Sequence, residues 1–175
     1  SFFILGLSVI ALCVSLYSIG YLTSYYNRRN VGLFNFLYSS FILSMFFVIS
    51  ASNAIFFFII WEIMSLISYF LVVFESEKKE NQQAGTLYIV MTHIGASFLL
   101  IAFMLMFSFT NSFDIFASSA AIPLWAKNAM FFCFLIGFGV KAGVIPFHIW
   151  LPSAHPAAPS NISALMSGFM IKTAI

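Results

Sequence analysis

Charge is what this sequence has least of. Seven Lys or Arg and five Asp or Glu make up 7% of its 175 residues, where a soluble domain carries about 25% charged residues. With 62% of the residues hydrophobic, a water-soluble domain is excluded, because one core of this size cannot hide so much apolar surface and the surplus must face lipid. A formal charge of +2 is too small to make nucleic acid a partner. Cysteine is scarce as well: Cys13 and Cys133 lie far apart inside apolar runs, without CxxC spacing, and read as packing residues. An iron–sulfur cluster needs about four thiolates, so no cofactor and no metal is expected in this chain, and any redox centre belongs to another subunit.

Long apolar runs are what the chain has instead. A spanning helix takes roughly 20 apolar residues at about 1.5 Å each. Six runs qualify, at roughly 2–21, 33–51, 54–74, 84–109, 128–147 and 160–175, the fifth broken and the sixth cut off by the chain end. The expected fold is all-α, a polytopic transmembrane helix bundle in a single membrane domain. The first run lacks the basic flank and small-residue cleavage site of a signal peptide, so it reads as a mature spanning helix. Residue 1 is Ser and Ile175 lies within an apolar run, so a piece of a longer protein is expected.

The breaks between runs give the topology. Ser24 to Asn30 reads as a loop, Ser52-Asn53 as a tight hairpin, Glu75 to Glu80 as a charged connection, and Thr110 to Lys127 as a polar connection outside the lipid. Arg28, Arg29, Lys78 and Lys79 then share one side against Lys127 on the other. The positive-inside rule makes the first side cytoplasmic, with the first and third helices running inward. Pro146, Pro152, Pro156 and Pro159 fall within fourteen residues and cannot continue one regular helix. Irregular backbone at membrane depth survives only where protein or a water cavity surrounds it, so this segment is expected to be buried. Ser160 or Asn161 is the expected N-cap of the last helix.

Four ionisable residues fall inside the runs. Glu62 lies roughly 12 to 18 Å from either end of its helix, where a charge costs at least about 2.5 kcal/mol. Ser65 and Tyr69 share its face, with Ser68 nearby. Lys141 stands five residues before Pro146 beside Gly137, Gly139 and Gly143, glycines that let helices approach closely. A contact between Glu62 and Lys141 would tune both groups to hold or release a proton. Lys172, about 18 Å into the last helix, is placed to continue the path. His93, with Thr92 and Ser97 as neighbours, offers an imidazole suited to proton relay. Blander readings stand beside these: a structural ion pair for Glu62 and Lys141, snorkelling for Lys172, and packing against a hydroxyl for His93. His148 and His155 either line a vestibule beside Pro146 or bond loop carbonyls. The 24 phenylalanines read as lipid-facing and packing residues.

Trp61-Glu62, Lys141 followed by Pro146-Phe147-His148-Ile149-Trp150-Leu151-Pro152, then Ala154-His155-Pro156-Ala157-Ala158-Pro159, Ser163 to Gly168 and Lys172 resemble the antiporter-like membrane subunits of respiratory complex I, of multi-subunit cation/proton antiporters and of membrane-bound nickel–iron hydrogenases. The Ala-His-Pro-Ala-Ala-Pro-Ser wording and Thr92-His93-Ile94-Gly95 are most similar to the large antiporter-like subunit of hydrogenase-4 and formate hydrogenlyase complexes. The resemblance implies an inverted-repeat fold with a broken helix, of which this chain holds about the third to the start of the eighth helix. It also implies that Glu62 pairs with Lys141 and that Lys172 passes protons toward the centre. The implied function is proton translocation in the inner membrane of a bacterium or archaeon, coupled to electron transfer in partner subunits. Expected partners are other membrane subunits, a peripheral redox arm, the lipid bilayer, and protons or sodium. A Na+/H+ antiporter subunit, an NADH-quinone oxidoreductase subunit and a structural membrane scaffold are the alternatives.

Overall fold

The computed structural model describes residues 2–25, 29–75, 78–116 and 122–175. Among them the chain forms seven α-helices: α1 (Phe2–Tyr21), α2 (Val31–Ser50), α3 (Ala54–Val72), α4 (Lys79–Thr110), α5 (Leu124–Ala142), α6 (Leu151–Ala157) and α7 (Ser160–Gly168). Five segments are long and apolar enough to cross a membrane: Phe2–Tyr21, Val31–Ser50, Ala54–Glu75, Lys79–Thr110 and Leu124–Ala157.

Buried residues trace narrow seams. On α2 they are Phe34, Tyr38, Phe41, Met45 and Val48, alternating four and three apart, the spacing of a coiled-coil stripe. On α4 Asn81, Gly85, Tyr88, Thr92, Gly95, Leu99 and Ala102 repeat the pattern. The opposite faces are just as apolar, with Phe36, Leu43, Ile94 and Ile101 exposed, as a membrane bundle requires. α4 is the central helix, packed on α3, α5 and α6, while α1 leans on α2 and α7. The α4–α5 contact is close because small residues meet. A Cβ on Gly95 would lie 3.0 Å from the Gly137 carbonyl oxygen, and one on Gly137 would lie 2.9 Å from that of Gly95.

Both ends of the bundle are tied. At one, the Ala54 N–H donates to Phe113 O at 2.7 Å and Ile115 N–H to Ser52 O at 2.9 Å, while Asn53 caps α3 by accepting from the N–H groups of Ile55 and Phe56. At the other, Tyr25 donates its hydroxyl to Glu75 Oε1, and Arg29 donates to Phe74 O at 2.7 Å. Burial first, and the bond to Glu75 second, push the Tyr25 phenol above its ordinary range. Arg29 and Lys78 thus share an end, as the loop charges predict; Arg28 and part of the 110–127 connection lie outside the described residues.

Three helices depart from expectation at their boundaries. α4 starts at Lys79 rather than near residue 84, because Glu80, Gln82 and Gln83 are good helix formers and an acidic first turn suits the N-terminal dipole. α5 starts at Leu124, directly after Pro123, and stops at Ala142, before the prolines. Gly143, at φ 70°, closes it: Val144 N–H donates to Gly139 O at 2.9 Å and Gly143 N–H to Val140 O at 3.3 Å, the Schellman ending. The proline-rich stretch is not wholly irregular, since Pro152 near the start of α6 is tolerated there and the short helix runs to Ala157. The last helix does not run to residue 175: α7 ends at Gly168, Phe169 leaves helical geometry at φ −136°, and Met170–Ala174 is a 3₁₀ turn. Glycine weakens the helix there, and the turn carries Phe169 and Met170 into the core. α7 begins after Pro159 without a side-chain cap, so neither Ser160 nor Asn161 plays that part; Asn161 instead donates to Ser18 Oγ at 2.8 Å, tying α7 to α1.

Candidate functional site

Lys141 is 1% exposed. It occupies the last turn of α5, where the negative end of the helix dipole favours a cation. Its Nζ donates to Ser65 Oγ on α3 at 2.8 Å and to Tyr88 Oη on α4 at 3.0 Å. It also stands 5.7 Å from the Trp61 ring centroid and 5.4 Å from that of Tyr88, within cation–π range. The hydroxyls order themselves onward. Ser65 donates to Trp61 O at 3.0 Å, which leaves its lone pairs for Lys141. Tyr88 lies 2.6 Å from Ser68 Oγ, and Ser68 donates to Met64 O at 2.8 Å, so the phenol proton points to Ser68 and its lone pairs to the lysine. Ser65 is eleven residues from Ala54 and seven from Val72, about 16 and 10 Å along the helix, which sets the cage inside the apolar layer.

The expected Glu62–Lys141 contact is absent: among the described residues no ion pair joins them within 4 Å. Glu62 Oε2 lies instead 3.4 Å from His93 Nε2. Helix rotation decides this, for Glu62 flanks the buried seam of Trp61, Ser65 and Ser68 and turns toward the outer face of α4. There the His93 side chain is 57% exposed and that of Glu62 26%. Against the expectation from sequence, the His93 ring bonds neither Thr92 nor Ser97; its Nδ1 meets Ile89 O at 2.9 Å, while Ser97 donates to the His93 carbonyl. A carbonyl only accepts, so Nδ1 is the donor and Nε2 faces the carboxylate. Glu62 Oε1 is buried without a hydrogen-bond partner.

The other expected residues lie around this centre. Lys172 is exposed on the 3₁₀ turn rather than deep in a helix, although that turn packs on α5 and the sulfur of Met170, two residues earlier, lies 3.7 Å from the Tyr88 hydroxyl. His155 meets Ser163 Oγ at 3.0 Å, and its Nε2 and His148 Nδ1 are buried without partners. Pro146 is exposed on the linker between α5 and α6. Sequence reasoning passed over Tyr88, and gave Trp61 and Trp150 no part beyond the family resemblance. The available signal was the run Gly85, Tyr88, Thr92, Gly95 on α4, whose small residues mark a packed face and put the phenol on it. Trp150 Nε1 donates to Val140 O at 2.8 Å, a carbonyl in the last turn of α5, and its ring rests 5.0 Å from that of Tyr88.

Residues 51–175 match the family described as NADH:quinone oxidoreductase/Mrp antiporter, transmembrane. Hydrogenase-4 component B of Escherichia coli is 41% identical over 100% of this chain and 26% of its own length. A putative antiporter subunit of Staphylococcus aureus is 33% identical over 99% of this chain and 22% of its own. The chain thus spans about a quarter of the curated relatives it matches. Among solved structures, a chain of the membrane-bound sulfane sulfur reductase, an archaeal respiratory membrane complex, superposes with a TM-score of 0.86 at 24% identity, over 98% of this chain and 35% of that one.

Proposed function

Since the chain belongs to the NADH:quinone oxidoreductase/Mrp antiporter transmembrane family, we propose that it is the proton-carrying part of a membrane subunit in a nickel–iron hydrogenase complex of the hydrogenase-4 or formate hydrogenlyase kind. The complex lies in the cytoplasmic membrane of a bacterium or archaeon, where other membrane subunits and a peripheral redox arm carry out electron transfer. The 41% identity to hydrogenase-4 component B supports the choice within the family. One observation carries the transport reading: a lysine buried in the apolar layer has hydroxyls as partners rather than a carboxylate. A carboxylate would stabilise the ammonium alone. Hydroxyls accept from an ammonium and donate to an amine, so Lys141 can lose and regain a proton without leaving a buried group unpaired.

In this reading the Glu62–His93 pair is one proton station, Lys141 the next and Lys172 the one after, with His148, Pro146 and His155 at the broken helix beside the route. A change of charge at Glu62 and His93, or in a neighbouring subunit, alters the field at Lys141 and drives its proton onward. The cargo is the proton, since an ammonium at the centre repels sodium and the cage lacks the oxygen set that a metal cation requires.

The test uses the full-length protein in its complex, in inverted membrane vesicles with formate or hydrogen as donor. Lys141→Met should cut vesicle acidification per electron about 100-fold, the low end for loss of a positioned acid–base group, while electron transfer continues. Unchanged acidification at unchanged electron flux would remove Lys141 from the path.

A further inference from the structure

Lys141 has to exchange protons with water, and its cage has two hydroxyl walls. Among the described residues Ser65 Oγ meets Lys141 and the Trp61 carbonyl of its own helix, with no second hydroxyl beside it, whereas Tyr88 has Ser68. Tyr88 is the wall that leads outward. Between the first turns of α4 and the short α6 opens a cavity of about 550 Å³, lined by Lys78, Glu80, Asn81, Gln83 and Ser153, with Ala84 and Ala157 among its apolar members. Tyr88 follows Ala84 by one turn on the same face of α4, about 6 Å deeper. Trp150, buried at the end of the 3₁₀ turn Phe147–Trp150 that leads into α6, packs against Tyr88. Tyr88, in contact with the lysine, therefore stands about one helical turn from the wall of a polar, charge-lined cavity.

We propose that Tyr88 is the proton-transfer partner of Lys141, passing protons between its amine and water in this cavity, with Ser68 as the second hydroxyl of the relay. The inference rests on the transport reading above and names the route by which the site is loaded. In the loading step the Tyr88 O–H bond breaks as an N–H bond forms on Lys141, and the phenol oxygen takes a proton from Ser68 or from hydronium in water advancing past Ala84. Ser68 is reprotonated by the same water, so no net phenolate is left in the apolar layer. The thioether of Met170, the other atom within reach of the phenol, has no proton to give, so the Tyr88 hydroxyl has one productive neighbour besides the lysine.

The test is again made in the full-length protein within its complex. Tyr88→Phe removes one oxygen and keeps the ring against Trp150 and Lys141, and acidification per electron should fall about 100-fold with assembly and electron flux retained. Replacement of Tyr88 by 3-fluorotyrosine, a more acidic phenol of nearly the same size, should retain transport and move its pH profile toward lower pH. The ionisable groups of the elements packed here, Glu62, Tyr69 and Glu75 on and just after α3, Lys127 and Lys141 on α5, His148 and His155 around α6, and Lys172 beyond α7, with Lys79, Glu80 and His93 on α4 itself, are unchanged in that replacement. A purely structural phenol would leave the profile where it was. Transport at the original rate in Tyr88→Phe, or an unmoved profile with fluorotyrosine, overturns the relay. If Lys141→Met is inert while Tyr88→Phe transports normally, only the relay falls; if both transport normally, the transport reading falls with it.

Discussion

Alanine at position 137 tests whether the α4–α5 contact sets the lysine cage. A Cβ on Gly137 would stand 2.9 Å from Gly95 O and 2.5 Å from Leu99 Cδ2, where ordinary contact begins at 3.4 Å. Leu99 can swing away, but a helix carbonyl cannot, so the helices must part by about 0.5 Å, the gap between 2.9 and 3.4 Å. Lys141 is one turn further along α5, and the same shift carries its 3.0 Å contact with Tyr88 to about 3.5 Å, beyond the ~3.2 Å reach of an N–H···O bond. Overpacking of this kind costs about 1–3 kcal/mol. Gly139→Ala is the control, because its Cβ would meet nothing closer than 3.9 Å, and alanine gains about 0.8–1 kcal/mol of helix propensity at either site. Gly137→Ala should therefore be about 1–3 kcal/mol less stable than Gly139→Ala. Tryptophan fluorescence melts in detergent read the difference at about 2–4 °C per kcal/mol. Acidification per electron should fall in the first variant alone. Equal melting points and equal transport would show that the glycines do not hold the cage together.

Lys141→Met should not lower the melting temperature, because a buried cation gives way to an apolar chain of similar length and both hydroxyl partners retain other acceptors for their protons; a large drop in the same melts would mean the lysine is structural. Asn161→Ala should cost about 0.6–1.7 kcal/mol, the range for buried polar contacts between membrane helices, through loss of its bond to Ser18, and Ser18→Ala in that background should add little. Tyr25→Phe should cost about 1.5 kcal/mol by removing a hydrogen bond to a carboxylate. Because folding raises the Tyr25 phenol, with burial the larger cause, its contribution is complete below the unfolded value of about 10 and is lost as pH rises through the folded one. Melts from pH 7 to 11 should show the wild-type advantage over Tyr25→Phe shrinking at the alkaline end.

The seven helices and the break between α5 and α6 illustrate what one-dimensional signals reach. Apolar run length located five spanning segments but carried the sixth run past Gly168, where the helix ends, and the proline cluster located the interruption, because each signal depends on bonding within a few residues. Glu62, Lys141 and His93 stood out for the same reason: an ionisable group in a long apolar run is visible without knowing its neighbours. Glu80, Gln82 and Gln83 misled, since polarity marks a connection only when its residues are also poor helix formers.

Length and composition by themselves determined that this chain is a membrane bundle with ionisable groups in its interior. Tertiary structure alone decided that Lys141 meets Ser65 and Tyr88, that Glu62 turns to His93, and that Phe169 enters the core and ends α7. The physical reason is that lipid-facing helices are apolar on every side. With Phe36 exposed and Phe34 buried on the same helix, hydrophobicity does not record which face turns inward, and a few tens of degrees of helix rotation select between one partner and another.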